Sequence, residues 1–433
     1  MNSSLSRKKV LMLILSLSCL LPITLNINAL EVTAAAEDIK IGFTWINGPT
    51  SSPELYDVGY NHAVEMGGQI EHRSYGWGDL TSNWQYLMEW KTTYLDTHPE
   101  LASSVSIAVI NSNTTNLPAN ITIERYTTPP APDSNVTRFN DPFIIEQLQN
   151  FTDFVVSLIP DLQYISYGAE INDYFETFYD FESEYLTSSA MLDDYIDLCE
   201  NMYDYIQNNY PNITVLTIFR NQRAEVDIKV IEEILPSFVN TCDVYAFSAR
   251  IFTTPQGYLA QLTTSGIINR VQEFVDLCGD KKFAITNMYM ISEARAGGGG
   301  LYQASFVSAF FQLTDEYSEK LEFLCWYTLF DYPPGYLQTI VNPYLEIHST
   351  AGLLTLNGDP KPAYYQWINE MKARNRIPSY TTTWKIVVAS LILAAIIAFI
   401  TFTFVMEGLD FSKEKESDEP EVITFTKKKE KKK

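Results

Sequence analysis

Histidine, cysteine and positive charge are scarce in this sequence: four histidines, five cysteines, and 30 basic residues against 53 acidic ones. No HExxH places two of His62, His72, His98 and His348 on one helix face, and no CxxC pairs the cysteines. Neither a zinc-protease site nor a thiolate metal centre is therefore expected. Gly-x-Ser-x-Gly is also absent, which removes the usual serine-hydrolase elbow. The run Gly297–Gly300 lacks the Lys-Ser/Thr that a phosphate loop needs, and reads instead as a hinge. After the first candidate strand comes INGPTSSPELYD, without GxGxxG, so no dinucleotide is expected and no cofactor of any kind is assigned. The net charge is −23, and lysines gather in the C-terminal tail, so the central part is more acidic still. Such a surface repels nucleic acid.

What is present begins with the two ends. Residues 1–9 carry three positive charges, an apolar run VLMLILSLSCLLPITL follows, and small residues close it, which predicts a signal peptide over 1–36. Ile386 to Met406 is uncharged and long enough to span a bilayer as one helix. A short stalk over 377–385 precedes it. The tail 407–433 ends in KKKEKKK, which favours a cytoplasmic position. A single-pass membrane protein with an extracellular domain over 37–376 is expected. Five Asn-x-Ser/Thr sequons fall in that domain, at Asn113, Asn120, Asn135, Asn150 and Asn212. Four cysteines follow the signal, Cys199, Cys242, Cys278 and Cys325. Export would permit disulfides, in any of three pairings, and a core of this size requires none.

Within the domain, short β-branched and aromatic runs alternate with helical patterns. Candidate strands lie at 39–45, 69–75, 105–110, 164–170, 214–219, 243–249, 283–289 and 323–330. Amphipathic stretches lie at 142–159, 191–210, 228–238, 268–278 and 302–321. Eight apolar strands alternating with helices predict an α/β fold, a closed (β/α)8 TIM barrel, with an open doubly wound sheet as the competitor. Surplus length sits in the loops 111–140 and 171–190, at the carboxyl ends of strands, where barrels keep their sites.

The stretch ISYGAEINDYF (165–175) ends an apolar strand on Glu170, beside Asn172. Around the same mouth are expected Trp45 after strand one, Tyr75 and Trp77 after strand two, Tyr289 after strand seven, and Trp326 with Tyr327 on strand eight. Aromatic faces stack on the C–H faces of sugar rings and carboxylates grip hydroxyls, so the expected ligand is carbohydrate. His72 and Arg73 are read as structural.

These residues resemble the clan of (β/α)8 glycoside hydrolases that includes cellulases, galactanases and β-glycosidases. The resemblance rests on Gly168-Ala169-Glu170-Ile171-Asn172 at strand four and Ile285-Thr286-Asn287-Met288-Tyr289 at strand seven. It rests also on Trp326 and on the closing segment Gly352-Leu353…Asn357-Gly358-Asp359-Pro360-Lys361-Pro362-Ala363…Trp367. It implies that Glu170 is the acid/base. It also implies that the nucleophile position is held by Asn287, an amide unfit to attack an anomeric carbon. Ala169 replaces the Asn that in the family holds the sugar's 2-hydroxyl. Hydrolysis would then need a second carboxylate from another loop. Glu293 is the first candidate for it, with Asp331, Glu71 and Asp173 behind. Three readings stay open: a glycoside hydrolase with a rearranged base, a glycan-binding surface module that has lost the chemistry, and a barrel used as scaffold.

Overall fold

The computed structural model describes residues 39–46, 53–128, 130, 137–182, 185–187, 189–221, 224–249, 263–293, 299–336 and 348–377, with 392–393, 396–397 and 399–400. The predicted signal peptide, cytoplasmic tail, Asn135, Gly297 and Gly298 lie outside these residues. So do nearly all of the stalk and most of the span 386–406. Among the described residues no helix is long and apolar enough to cross a membrane.

Eight parallel strands close into one barrel. They are β1 (Lys40–Trp45), β2 (Ile70–Gly76), β3 (Ala102–Asn111), β4 (Leu162–Ala169), β5 (Thr214–Asn221), β6 (Val244–Ala249), β7 (Lys282–Met288) and β8 (Leu321–Thr328). Each pairs with the next, and β1 pairs with both β2 and β8, which completes the ring. The doubly wound alternative is thereby excluded. All eight predicted strands are present, with ends within about three residues of expectation.

The helices are α1 (Pro53–Glu65), α2 (Trp77–Ser82), α3 (Gln85–Glu89), α4 (Pro142–Leu158), α5 (Ile171–Glu176), α6 (Ser189–Asn209), α7 (Ala224–Ile234), α8 (Thr264–Cys278), α9 (Gly300–Glu316) and α10 (Pro362–Ala373). Local chemistry sets their ends. Asp141 caps α4 by accepting from Phe143 N at 2.9 Å, with Pro142 in the first turn, where its missing N–H costs nothing. Thr263 caps α8 through Gly266 N at 3.2 Å. The predicted helix 228–238 stops at Ile234, and a 3₁₀ turn carries Leu235–Phe238. Pro236 has no N–H for an α-helical bond there. α1 to α3, α5 and α10 were not expected from the sequence; α5 falls in the stretch 171–190 that was read as loop. α1 mixes polar and apolar residues with little net hydropathy, and α2 and α3 are short.

Strand alternation sorts side chains between two layers. Ile70, Ala102, Tyr164, Leu216, Ile218, Val244, Ala246, Ala284, Phe323 and Cys325 form one cluster and fill the barrel. Positions of the other parity face the helices. Phe43 stacks on Trp367 of α10 at 5.2 Å. At the amino ends of the strands, Tyr164 accepts from Lys40 Nζ at 2.9 Å and donates to Glu322 at 2.8 Å, forming a polar floor. The loop after β3 is tied to α6, where buried Asp194 takes Arg138 and Tyr126. The four described cysteines are buried and carry free thiols.

Two compact units divide between Met371 and Lys372. In the second, Asn375 adopts a left-handed conformation and its N–H returns to Lys372 O at 3.1 Å, which ends the helix.

His72 lies inside the barrel, with Nδ1 2.8 Å from Ser104 Oγ. Burial drives its pKa from 6.5 down to about 3. The unfolded chain therefore takes up a proton that the folded chain refuses, so stability falls as pH drops between those values. Relative to His72→Gln, the parent should lose about 1.4 kcal/mol per pH unit across that window. Urea midpoints measured for both proteins as a function of pH check this; parallel curves would show that His72 is not held neutral.

Candidate active site

β4 ends at the barrel mouth on Gly168-Ala169-Glu170. Gly168 is required there, since a Cβ would lie 2.3 Å from Tyr195 Oη on α6. Glu170 then turns into the left-handed region, φ 56° and ψ 42°, to start α5. Ser112, just past β3, is left-handed too, at φ 53°. These two meet: Ser112 Oγ donates to Glu170 Oε2 at 2.7 Å, and Ser112 N donates to Ala169 O at 2.8 Å. Ser248 on β6 donates to the other carboxylate oxygen, Oε1, at 2.6 Å. A non-glycine residue in this region costs on the order of 1–3 kcal/mol and persists only where its surroundings fix it. Two such residues joined by one hydrogen bond mark the acid as deliberately placed.

Asn287 on β7 is in register with Ser248, so both side chains face the mouth. A β-bulge between Ile285 and Asn287 makes this possible. Simple alternation from inward Ala284 would turn Thr286 inward instead. Asn287 is 92% buried, and its Oδ1 has no hydrogen-bond partner.

Behind Glu170, Arg220 of β5 gathers three carboxylates. It pairs with Asp173, with Glu176 at 2.9 Å and with fully buried Asp227 at 2.9 Å. Burial raises the pKa of Asp173; Arg220 opposes the rise and the charge of Glu170 adds to it. Asp173 is thus committed to Arg220 and stands on the same short segment as Glu170, not across the mouth. Asn172 was expected to bind sugar, yet it is fully buried. Its Oδ1 accepts from Arg220 N at 2.6 Å and its Nδ2 donates to Arg220 O at 2.9 Å, so its amide clasps β5 to α5.

The aromatic residues divide. Trp326 does not reach the mouth. It is fully buried against Phe306, Phe310 and Trp367, with Nε1 donating to Ala351 O at 3.0 Å. Its parity faces the helices. Half-buried Tyr327 has the inward parity and lies 4.8 Å from Tyr289, ring to ring. Tyr289 Oη is 2.9 Å from His348 Nδ1. Trp45 and Tyr75, also expected at the mouth, instead have the parity that faces the helices; half-buried, they meet edge to face at 5.4 Å. The Arg73 guanidinium lies over the Trp45 ring at 5.4 Å and over Trp90 at 4.7 Å. Trp77 is buried and lines a separate cavity of about 270 Å³ with Pro118, Ile121, Phe151 and Phe154.

Two other candidate carboxylates have structural duties. Glu71 is fully buried and accepts from Tyr60, Trp90, Arg73 and Ile46 N at 2.5–3.2 Å, on the helix side of β2. Asp331 pairs with Lys361 at 2.5 Å and accepts from Gly352 N at 2.9 Å; burial lifts its pKa to about 6. Half-buried Glu293 is held by its backbone, with N donating to Thr350 Oγ1 at 3.1 Å. The structure thus assembles Glu170, Ser112, Ser248 and Asn287; two residues past Asn287, Tyr289 is buried against Tyr327 and His348. Ser112, Ser248 and Arg220 were not anticipated. The signal they gave was a polar residue at or just past the carboxyl end of an apolar strand. Among the described residues no group of His, Cys, Asp and Glu could hold a metal.

No protein-family profile and no curated protein matches the sequence. Solved structures do match. One is GH5_18 from Streptomyces cattleya in complex with GlcNAc, at TM-score 0.57 and 16% identity, covering 79% of this chain and 82% of that one. Another is GH5_18 from Bifidobacterium longum subsp. longum in complex with Manβ1-4GlcNAc, at TM-score 0.53 and 12% identity, covering 79% and 80%. A third is the exo-β-1,4-mannosidase of Opitutaceae bacterium strain TAV5, at TM-score 0.52 and 15% identity, covering 79% and 61%. Taken with the closed ring of eight parallel strands, these likenesses show that the chain has the same (β/α)8 barrel fold as these structures.

Proposed function

We propose that the barrel mouth binds oligosaccharide, with Glu170 as its acid and Asn287 standing where a hydrolase of this fold carries its nucleophile. We further propose that the domain over 37–376 is extracellular and held to a membrane by the segment 386–406. The observation that carries the site is the placement of Glu170. Hydroxyls from two different strand ends hold both its oxygens, next to an amide on β7. The GlcNAc and Manβ1-4GlcNAc in the similar structures support the ligand class. Asn287 forms no glycosyl-enzyme, because an amide nitrogen has no lone pair to offer. Hydrolysis of ordinary glycosides through a covalent intermediate is therefore closed.

Titrating the purified chain with Manβ1-4GlcNAc and with GlcNAc oligomers, read by tryptophan fluorescence, tests the reading. Tyr327→Ala should weaken binding about tenfold, ~1.4 kcal/mol. Trp326→Phe should leave it unchanged and lower only the melting temperature. Binding that ignores Tyr327→Ala and Glu170→Gln alike would place the sugar elsewhere.

A further inference from the structure

Three buried side-chain atoms lack a hydrogen-bond partner among the described residues: Arg220 Nε, Gln303 Oε1 and Asn287 Oδ1. Arg220 sits among its carboxylates. Gln303 lies behind the sheet, its Nε2 donating to Met290 O and Gly352 O. Asn287 alone stands beside the Ser248–Glu170 pair. An unmet buried carbonyl costs about 1–3 kcal/mol and calls for a donor. Asn287 holds the register position of Ser248, which bonds Glu170, so the donor it calls for is one that a ligand at the mouth would bring.

A sugar with a 2-acetamido group offers such a donor, its N–H. The same group also carries a carbonyl oxygen within reach of its own anomeric carbon, and an intramolecular nucleophile of that kind has a very high effective concentration. We propose that the mouth cleaves glycosides of 2-acetamido-2-deoxy sugars, with the substrate providing the nucleophile that the protein lacks. This rests on the reading that sugar occupies the mouth.

The steps balance. The acetamido oxygen bonds to the anomeric carbon as the glycosidic C–O bond breaks. Glu170 gives its proton to the departing oxygen. Asn287 Oδ1 accepts the acetamido N–H and orients the group for attack. A cyclic oxazolinium results, its charge eased by that hydrogen bond. Glu170, now a carboxylate, takes a proton from water as the water oxygen attacks the anomeric carbon, and the ring opens to restore the acetamido group. One water is consumed, the anomeric configuration is retained through two inversions, and no second protein carboxylate takes part.

The test uses the intact chain and three aryl β-glycosides: the 2-acetamido-2-deoxyglucoside, its N-trifluoroacetyl analogue and the 2-hydroxy glucoside. The expected result is hydrolysis of the first and none of the third. The N-trifluoroacetyl compound should show a kcat/KM more than about tenfold lower, because fluorine drains the attacking oxygen. Equal hydrolysis of the 2-acetamido and 2-hydroxy compounds would overturn the inference in favour of a protein nucleophile. Binding of all three without cleavage would overturn it and leave the carbohydrate-binding reading standing. Failure to bind any of them would overturn both. The fluorinated series needs no variant, so a misfolded Asn287→Ala cannot confuse the outcome.

Discussion

Asn287→Glu is expected to hydrolyse β-glycosides that carry a plain 2-hydroxyl, which the parent chain leaves intact, with a rate gain on the order of 10²-fold or more. The argument runs through the strand. The bulge in β7 sets residue 287 in register with Ser248, and Ser248 touches Glu170. A carboxylate introduced at that position enters the same pocket from the far side. A retaining pair needs a separation of about 5–5.5 Å, the spacing at which one acid protonates while the other attacks. Mutual repulsion then helps, because it keeps one of the two groups protonated at neutral pH. Incubation with a 2-deoxy-2-fluoro glycoside should leave a covalent sugar on the introduced carboxylate, read as a mass increment. A folded variant with neither adduct nor turnover would mean that positions 170 and 287 do not share a pocket.

Arg220→Met is expected to lower stability by about 3–5 kcal/mol, the largest loss predicted for a single change outside the apolar core. Arg220 is 93% buried and serves three carboxylates, one of them the fully buried Asp227. Removing the guanidinium takes from Asp227 the ion pair it makes at 2.9 Å, in a medium where an ionised group is costly. Burial disfavours the charged form of Arg220, yet its pKa is held above the ordinary value by Asp227, Asp173 and Glu170, so the cluster depends on that charge. Arg220→Lys should recover only part of the loss, since one ammonium cannot reach three acids in a planar fork. Urea midpoints of the parent and both variants measure this. A loss under about 1 kcal/mol for Arg220→Met would show that the carboxylates find other partners.

The eight strands and the carboxylate at the end of the fourth were legible because buried parallel strands are written as continuous apolar runs. The facing of individual side chains was less so. Trp326 and Tyr327 are adjacent, and only strand parity decides that the first packs on Trp367 and the second meets Tyr289. One residue of offset exchanges core for site. Asn287 faces the mouth through a bulge that leaves no mark in composition. Asn172 and Trp77 carry residue types suited to sugars but are consumed by the fold, one as a clasp on Arg220 and the other beside α4. The network that holds Glu170 joins residues 58 and 78 positions apart, so no local pattern could show it.

The ladder skips a step just before Asn287 and resumes after it, so the backbone, and not the alternation of the strand, turns that one side chain to the mouth. What the pocket can offer a ligand opposite Glu170 is therefore decided at a single irregular position of an otherwise regular sheet.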